Sequence, residues 1–224
     1  MARIPYPNIA DLPEKLRTRA EALPPLNILR MFLNAPANAT QIMSLGESIL
    51  LRQKLDDRLR EVAILRVAHL TKANYEWTQH VPIAKDTGVT DAQVAAIPQG
   101  AEADVFDEID KKVLRFTDEV TLNVKASDAT FQALHEHLDA QEMVEMTLAI
   151  SFYGLAARIM ETFEVELEPT AGTYTVEQLR RQDYCSRPIY SSMKYIRGTR
   201  QRSKKPGLSL AVVLRCSTCS SISV

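Results

Sequence analysis

Two residues with proton-transfer side chains, Glu76 and His80, lie four positions apart in the string Tyr75-Glu-Trp-Thr-Gln-His80. On an α-helix this spacing places both side chains on one face. Glu76 falls in the first turn of the predicted helix, where the helix dipole favours an ionised carboxylate. A carboxylate beside an imidazole orients the ring and favours its protonated form, which suits acid–base chemistry. The same spacing is common in solvated surface pairs, so spacing alone leaves both interpretations open.

A third acidic residue, Glu61, is predicted on the preceding helix, on the face that carries Ile64 and Ala68. A carboxylate on an apolar face needs a partner. If the two helices pack antiparallel, His80 or Glu76 lies near it; the alternative is a local pair with Arg58. Two carboxylates and one histidine in a partly apolar pocket suit acid–base chemistry on a small organic molecule. Two further candidates for substrate contacts, which could equally be packing residues, are Tyr75 and Trp77.

Other combinations of reactive side chains are weaker. The side chains of His135 and His137 point to different faces of a helix, and no H-E-x-x-H string is present, so we expect no metal site. The pair Cys216 and Cys219 forms a single C-x-x-C, which is half a zinc site at most. His69 has no carboxylate at helical spacing and is interpreted as structural. The sequence also lacks the glycine-rich strings that hold nucleotide phosphates.

The elements that position these residues are predicted to be helices throughout. Apolar residues recur at helical spacing, and no alternating strand pattern occurs before residue 168. The segment 140–164 is apolar nearly all round, which predicts a buried helix. The fold class is therefore all-α. The predicted helices cover residues 11–23, 37–53, 90–97, 104–121 and 140–164. Three more are predicted: one with an apolar stripe over residues 59–70 and Asp56 and Asp57 as candidate caps, one capped by Asn74 that runs to Gly88, and one that begins at Ser127 and Asp128 and runs to about Leu138.

The last part of the chain differs in charge. Residues 1–179 carry 17 Lys and Arg against 27 Asp and Glu, whereas residues 180–224 carry 10 against one. All three cysteines also lie in this region. Residues 169–224 are therefore predicted to be a basic, poorly ordered tail. Its basic run 197–205 could contact nucleic acid or acidic membranes, but a solvated tail is the preferred interpretation, so neither partner is expected.

No apolar stretch at the N-terminus resembles a secretory signal. Within the predicted buried helix the uncharged run, residues 146–157, has twelve residues, which is too short to cross a bilayer. We therefore expect a soluble, cytoplasmic protein.

The stretch from Arg60-Glu-Val-Ala-Ile-Leu-Arg through Tyr75-Glu-Trp-Thr-Gln-His80 to Gly88 resembles the core motif of the carboxymuconolactone decarboxylase family. The resemblance extends over about residues 25–168, which we interpret as the domain, with residues 1–24 as an N-terminal segment. It implies a helical alkylhydroperoxidase D-like fold, no cofactor, and a homo-oligomer that is a trimer or a hexamer. It also implies a small-molecule substrate.

The family includes peroxidases whose site resembles Glu-x(11)-Cys-x-x-Cys-x-x-x-His. Placed on this sequence, the acid falls on Glu61 and the histidine on His80, but the cysteines fall on Ala73 and Glu76. A thiol peroxidase needs both thiols. The resemblance therefore favours the decarboxylase branch, a lyase or isomerase acting on a small carboxylic acid or lactone. His80 would donate the proton, and Glu76 or Glu61 would orient it. The alternatives are the antioxidant peroxidase activity of the family label and a non-enzymatic helical oligomer that binds a ligand.

Overall fold

A computed structural model describes residues 1–173 and 175 of the chain. Within these residues every regular element is helical. Two short 3-10 helices cover Ile9–Asp11 and Ile97–Glu102. The α-helices are α1 (Glu14–Glu21), α2 (Asn27–Phe32), α3 (Pro36–Leu51), α4 (Asp57–Thr71), α5 (Asn74–Asp86), α6 (Asp91–Ala96), α7 (Glu108–Asn123), α8 (Asp128–His135) and α9 (Ala140–Phe163). The all-α prediction is confirmed.

Helix α4 lies at the centre of the fold and packs against α5, α7 and α9. Its start is fixed by Asp56, whose side chain accepts a hydrogen bond from the backbone N–H of Leu59, as the sequence predicted. Ten consecutive residues, 59–68, are buried, including Arg60 and Glu61. A helix that is buried all round must pair its charged side chains inside the protein, and this requirement shapes the site described below.

The connection between α4 and α5 is very short. Lys72 adopts a left-handed conformation at φ 59°, and α5 begins two residues later. The predicted cap of α5 is wrong: Asn74 is the first helical residue, and Ala73 occupies the cap position without a side-chain hydrogen bond. The tight turn folds α5 back along α4, so that residues near the two helix centres can meet.

Helix α9 has 24 residues and is apolar and long enough to cross a membrane by length and composition. Its buried residues, among them Met146, Ile150 and Tyr153, pack into the main core cluster with α4. Within the described residues it therefore serves as a core helix, which agrees with the prediction for this segment.

Two terminal segments pack on the helices. Arg3 donates its backbone N–H to the carbonyl of Phe163 at 2.9 Å, and α1 packs against α3. After α9, residues 164–173 run back across α5. Predictions on residues 176–224, which include the basic run and the cysteines Cys185, Cys216 and Cys219, lie outside the described residues.

Candidate functional site

The predicted proximity of Glu61 and His80 is confirmed. His80 Nδ1 lies 2.8 Å from Glu61 Oε2, and both side chains are buried. A carboxylate can only accept, so Nδ1 carries the hydrogen and Nε2 is the atom left for chemistry. His80 Nε2 makes no hydrogen bond to any other described residue. The alternative local pair of Glu61 with Arg58 is wrong, because Arg58 binds Asp110 at 2.9 Å.

Arg60 pairs with Glu61 through two hydrogen bonds. Its Nε and Nη2 atoms both lie 3.1 Å from Glu61 Oε1, and its Nη1 lies 2.5 Å from Asp57 Oδ1. Arg60 is fully buried, whereas the side chain of Asp57 is 36% exposed. A row of paired side chains thus connects Asp57 at the surface, through Arg60 and Glu61, to His80. The sequence interpretation missed Arg60, because adjacent helical residues normally point in different directions.

Glu76 differs from its prediction. The helix dipole was expected to keep it ionised, but the side chain is 2% exposed and neither carboxyl oxygen has a hydrogen-bond partner within the described residues. Burial raises the pKa of this carboxyl well above its usual 4.5, and the nearby carboxylates of Glu61 and Glu161 add to the rise. Glu76 is therefore a neutral acid, and the partner of His80 is Glu61.

Tyr153 on α9 completes this group and was also missed by the sequence interpretation. Its ring stands edge-on to the ring of His80, with centroids 4.7 Å apart and an interplanar angle of 84°. Burial raises the pKa of its phenol well above 10.0, and the Glu61 carboxylate adds to this effect. In the sequence it lies within an apolar run, which carried no signal of a site.

These residues face a largely apolar cavity of about 180 Å³. Glu76, His80 and Tyr153 line it, and so does Tyr75. Trp77 does not line this cavity; it packs against the edge of the main core cluster instead. The apolar lining comes mainly from α2, α3, α5 and α9, with Leu23, Leu26, Ile28, Leu29, Phe32, Met43, Leu50, Leu51, Ile83, Phe152, Ala156 and Met160.

Several polar groups in the cavity wall already have partners. Tyr75 donates its hydroxyl to Glu168 at 2.8 Å, and Gln79 donates its amide to the other oxygen of the same carboxylate. Arg19 binds Glu47 at 2.6 Å. The cavity therefore presents its uncommitted polar atoms mainly around Glu76, His80 and Tyr153.

Gly46 on α3 sets one limit of the cavity. A Cβ atom at this position would lie 2.8 Å from Cζ of Phe152, which is closer than carbon atoms pack. Both residues line the cavity. The Phe152 ring therefore occupies the space that a side chain at position 46 would need.

Residues 36–119 match the sequence model of the carboxymuconolactone decarboxylase family. Over these residues the chain is similar to the carboxymuconolactone decarboxylase family. The matched segment contains α3, α4 and α5, and with them Glu61, Glu76 and His80. No curated protein matches the chain.

Solved structures support the same fold. The protein is similar to an uncharacterised peroxidase-related protein with an alkylhydroperoxidase AhpD core from Ralstonia eutropha JMP134, with a TM-score of 0.66, 18% identity, and coverage of 77% of this chain and 97% of that chain. It is also similar to the debrominase Bmp8, with a TM-score of 0.59, 17% identity, and coverage of 76% and 95%. A third similar structure is a protein of unknown function from Agrobacterium tumefaciens. Its TM-score is 0.56 and its sequence identity is 22%, and the match covers 59% of this chain and 92% of that chain. At these identities the likeness shows the fold alone.

Within the carboxymuconolactone decarboxylase fold, this chain has no thiol where the peroxidase pattern places two. Those positions hold Ala73, which is fully buried, and Glu76. The described residues contain no cysteine and no cluster of three His, Cys, Asp or Glu residues arranged to hold a metal ion. The site can move protons, whereas thiolate chemistry at these positions has no nucleophile.

Proposed function

We propose that this protein is a cofactor-independent, decarboxylase-like lyase that uses His80 for proton transfer on a small carboxylic acid or lactone. The observation that carries the proposal is the Glu61–His80 hydrogen bond of 2.8 Å at an apolar cavity that also contains the buried, unpartnered Glu76. The similarity of residues 36–119 to a decarboxylase family supports the reaction class.

The roles follow from the contacts. When the carbon–carbon bond to the departing CO₂ breaks, its electron pair moves into an adjacent carbonyl group and produces an enolate. Protonated His80 then delivers the Nε2 proton to carbon, and Glu61 stabilises the imidazolium while that proton is held. Arg60 donates hydrogen bonds to Glu61 and holds its carboxylate beside His80. The lining of the cavity is largely apolar, and a lower local dielectric constant strengthens each of these electrostatic interactions.

The test is a decarboxylation assay. Lactone acids and phenolic acids are incubated with the protein, and loss of CO₂ is followed by mass spectrometry. We expect His80→Ala to lower turnover by at least about 100-fold, which is the lower end of a general acid's contribution. Circular dichroism should show an intact helical fold in this variant. Turnover that persists in His80→Ala would refute the assignment.

Two other activities predict different experimental results. A thiol peroxidase, the activity of the family label, would reduce hydroperoxides and lose that activity when Cys185, Cys216 and Cys219 are alkylated. A ligand-binding oligomer without enzymatic activity would bind the tested acids saturably and form no product. The buried proton-transfer pair favours the lyase over both.

A further inference from the structure

The hydroxyl group of Tyr153 is available to a ligand. Tyr153 lines the cavity, and its side chain touches the ring of His80. Its hydroxyl makes no hydrogen bond to any described residue, whereas the other cavity tyrosine, Tyr75, donates to Glu168. Because burial raises its pKa well above 10.0, Tyr153 stays a phenol and can donate a hydrogen bond.

The carboxyl group of Glu76 is a second donor without an acceptor. It lines the same cavity, and neither of its oxygens is hydrogen-bonded within the described residues. Since burial keeps it protonated, it has one O–H to donate. Leaving a buried polar group unbonded is costly, so the site favours a ligand that supplies an oxygen acceptor.

The acceptor that suits this part of the cavity is a neutral oxygen. Arg19 is the one Arg or Lys side chain among the described residues that line the cavity, and it is bound to Glu47. The guanidinium of Arg60 is directed at Glu61 and Asp57. Neither guanidinium is therefore available to a ligand oxygen beside Tyr153 and Glu76, while two neutral donors are.

The size of the cavity limits the ligand. An apolar cavity of about 150 Å³ holds a benzene molecule. The 180 Å³ here therefore holds one ring with a small substituent, surrounded by side chains such as Phe32, Met43 and Phe152. A carbonyl group attached to a single apolar ring satisfies both the donors and the volume.

We propose that Tyr153 is a further catalytic residue, which donates a hydrogen bond to the carbonyl oxygen of a single-ring substrate that also carries the departing carboxyl group, with the Glu76 carboxyl group as the second donor. This inference rests on the proposed function. In the reaction above, the electron pair released from the departing CO₂ moves to this oxygen, and both hydrogen bonds strengthen as negative charge develops on it. A phenol and a neutral carboxyl group are known to stabilise an enolate oxygen in apolar sites.

The experiment compares two ligands of the same shape. Acetophenone carries a carbonyl oxygen where α-methylstyrene carries a CH₂ group. Dissociation constants for both are measured by NMR titration of the full chain. We expect acetophenone to bind about tenfold more tightly, which corresponds to one to two hydrogen bonds. In Tyr153→Phe the preference should fall to about threefold or less.

The matched control is Tyr6→Phe, which removes a tyrosine hydroxyl that binds Glu166 and does not line the cavity. This variant should keep the full preference for acetophenone. Because the comparison of two ligands uses the unaltered protein, it remains informative even if a variant folds poorly.

The outcomes separate this inference from the proposed function, because binding requires no turnover. Equal affinity for the two ligands, or an unchanged preference in Tyr153→Phe, overturns the inference even when His80-dependent decarboxylation is found. A preference for acetophenone that depends on Tyr153, in a protein without decarboxylase activity, supports the donor pair and overturns the proposed reaction instead.

Discussion

Glu76 and His80 lie one helical turn apart on α5 but have opposite surroundings. His80 has a carboxylate partner at 2.8 Å, and that carboxylate is in turn held by Arg60. Glu76 is buried without any such partner within the described residues. At the scale of single residues, the site therefore combines a histidine that is held by a carboxylate with a buried, unpartnered carboxyl group whose pKa is raised by its burial.

The pH dependence of stability should reveal the buried Glu76. Its folded pKa is raised above the unfolded value of 4.5, so the folded state retains a proton that the unfolded state releases. The contribution of Glu76 to the free energy of unfolding is therefore fully present below about pH 4.5. It falls as the pH rises towards the folded pKa, by up to about 1.4 kcal/mol per pH unit. Glu76→Gln should abolish this contribution. Urea unfolding from pH 5 to 8 measures it, and parallel curves for the two proteins would contradict the prediction.

Removing the guanidinium group of Arg60 should destabilise the fold. Arg60→Met leaves Glu61 ionised and buried without its guanidinium partner. Breaking a buried pair in this way costs about 3–5 kcal/mol, which chemical denaturation would measure. The matched control is Arg52→Met, whose partner Glu47 also binds Arg19 and whose side chain is 46% exposed. A loss of less than about 1 kcal/mol in the free energy of unfolding for Arg60→Met would show that Arg60 does not stabilise the buried Glu61.

At the scale of the elements, residues 164–173 connect two helices of the cavity wall, α5 and α2, through Glu168. This buried carboxylate accepts hydrogen bonds from Tyr75 and Gln79 on α5 and from the backbone N–H of Asn27 at the start of α2. Helix α2 has no side-chain cap of its own at Leu26. Glu168 therefore caps α2 from 141 positions away in the sequence.

Pro82 favours the packing of residues 164–173 against α5. A proline has no N–H, so it cannot donate the usual helical hydrogen bond to the carbonyl of Thr78. Gly172 packs close to that carbonyl and donates its own N–H to Gln79 at 3.1 Å. Its φ of +74° and the 3.1 Å that a Cβ would leave to the Thr78 oxygen both favour glycine at this position.

Loss of the Glu168 carboxylate should cost stability. Glu168→Ala leaves three buried donors without their acceptor, and we expect a loss of about 2–4 kcal/mol in the free energy of unfolding. Glu164→Ala provides the control, because Glu164 makes an exposed surface pair with Arg3 and should contribute less than about 1 kcal/mol. Equal effects of the two substitutions in urea unfolding would contradict the structural role of Glu168.

The sequence predicted the long helices well, because their periodicity and caps are local properties. It missed α2, which has six residues and depends on Glu168 for its cap. The Glu61–His80 pair could be expected once the two helices were taken as antiparallel. The neutral state of Glu76 could not, since it depends on the packing of α9 and on the absence of donors near its oxygens, which no local pattern encodes.

At the scale of the whole molecule, α9 has an apolar face that the described residues leave open. Val144, Leu148 and Leu155 lie at helical spacing, and their side chains are 60%, 42% and 42% exposed. An apolar stripe on a core helix is typical of a protein–protein contact. We propose that this face contributes to a homo-oligomer, in line with the trimer or hexamer that the family resemblance implies.

A charge on this face should therefore change the molecular mass in solution. We expect light scattering to give a multiple of the 25.1 kDa chain for the unaltered protein and the single-chain mass for Leu148→Glu. Leu122→Glu serves as the control, because Leu122 is 64% exposed on α7 and lies outside the stripe. The idea fails if both variants assemble alike, or if the unaltered protein is a monomer.

The contact between Gly46 and Phe152 has a consequence for how this protein can change over evolutionary time. A single codon change from glycine to alanine at position 46 would displace the Phe152 ring and reshape the space beside it. That step replaces none of Glu61, Glu76 and His80, although the Phe152 ring also stands edge-on to Tyr153 at a centroid distance of 5.4 Å. Lineages that carry this fold can therefore diverge in the molecules they accept while inheriting the same reactive chemistry, and a protein engineer could use position 46 in the same way.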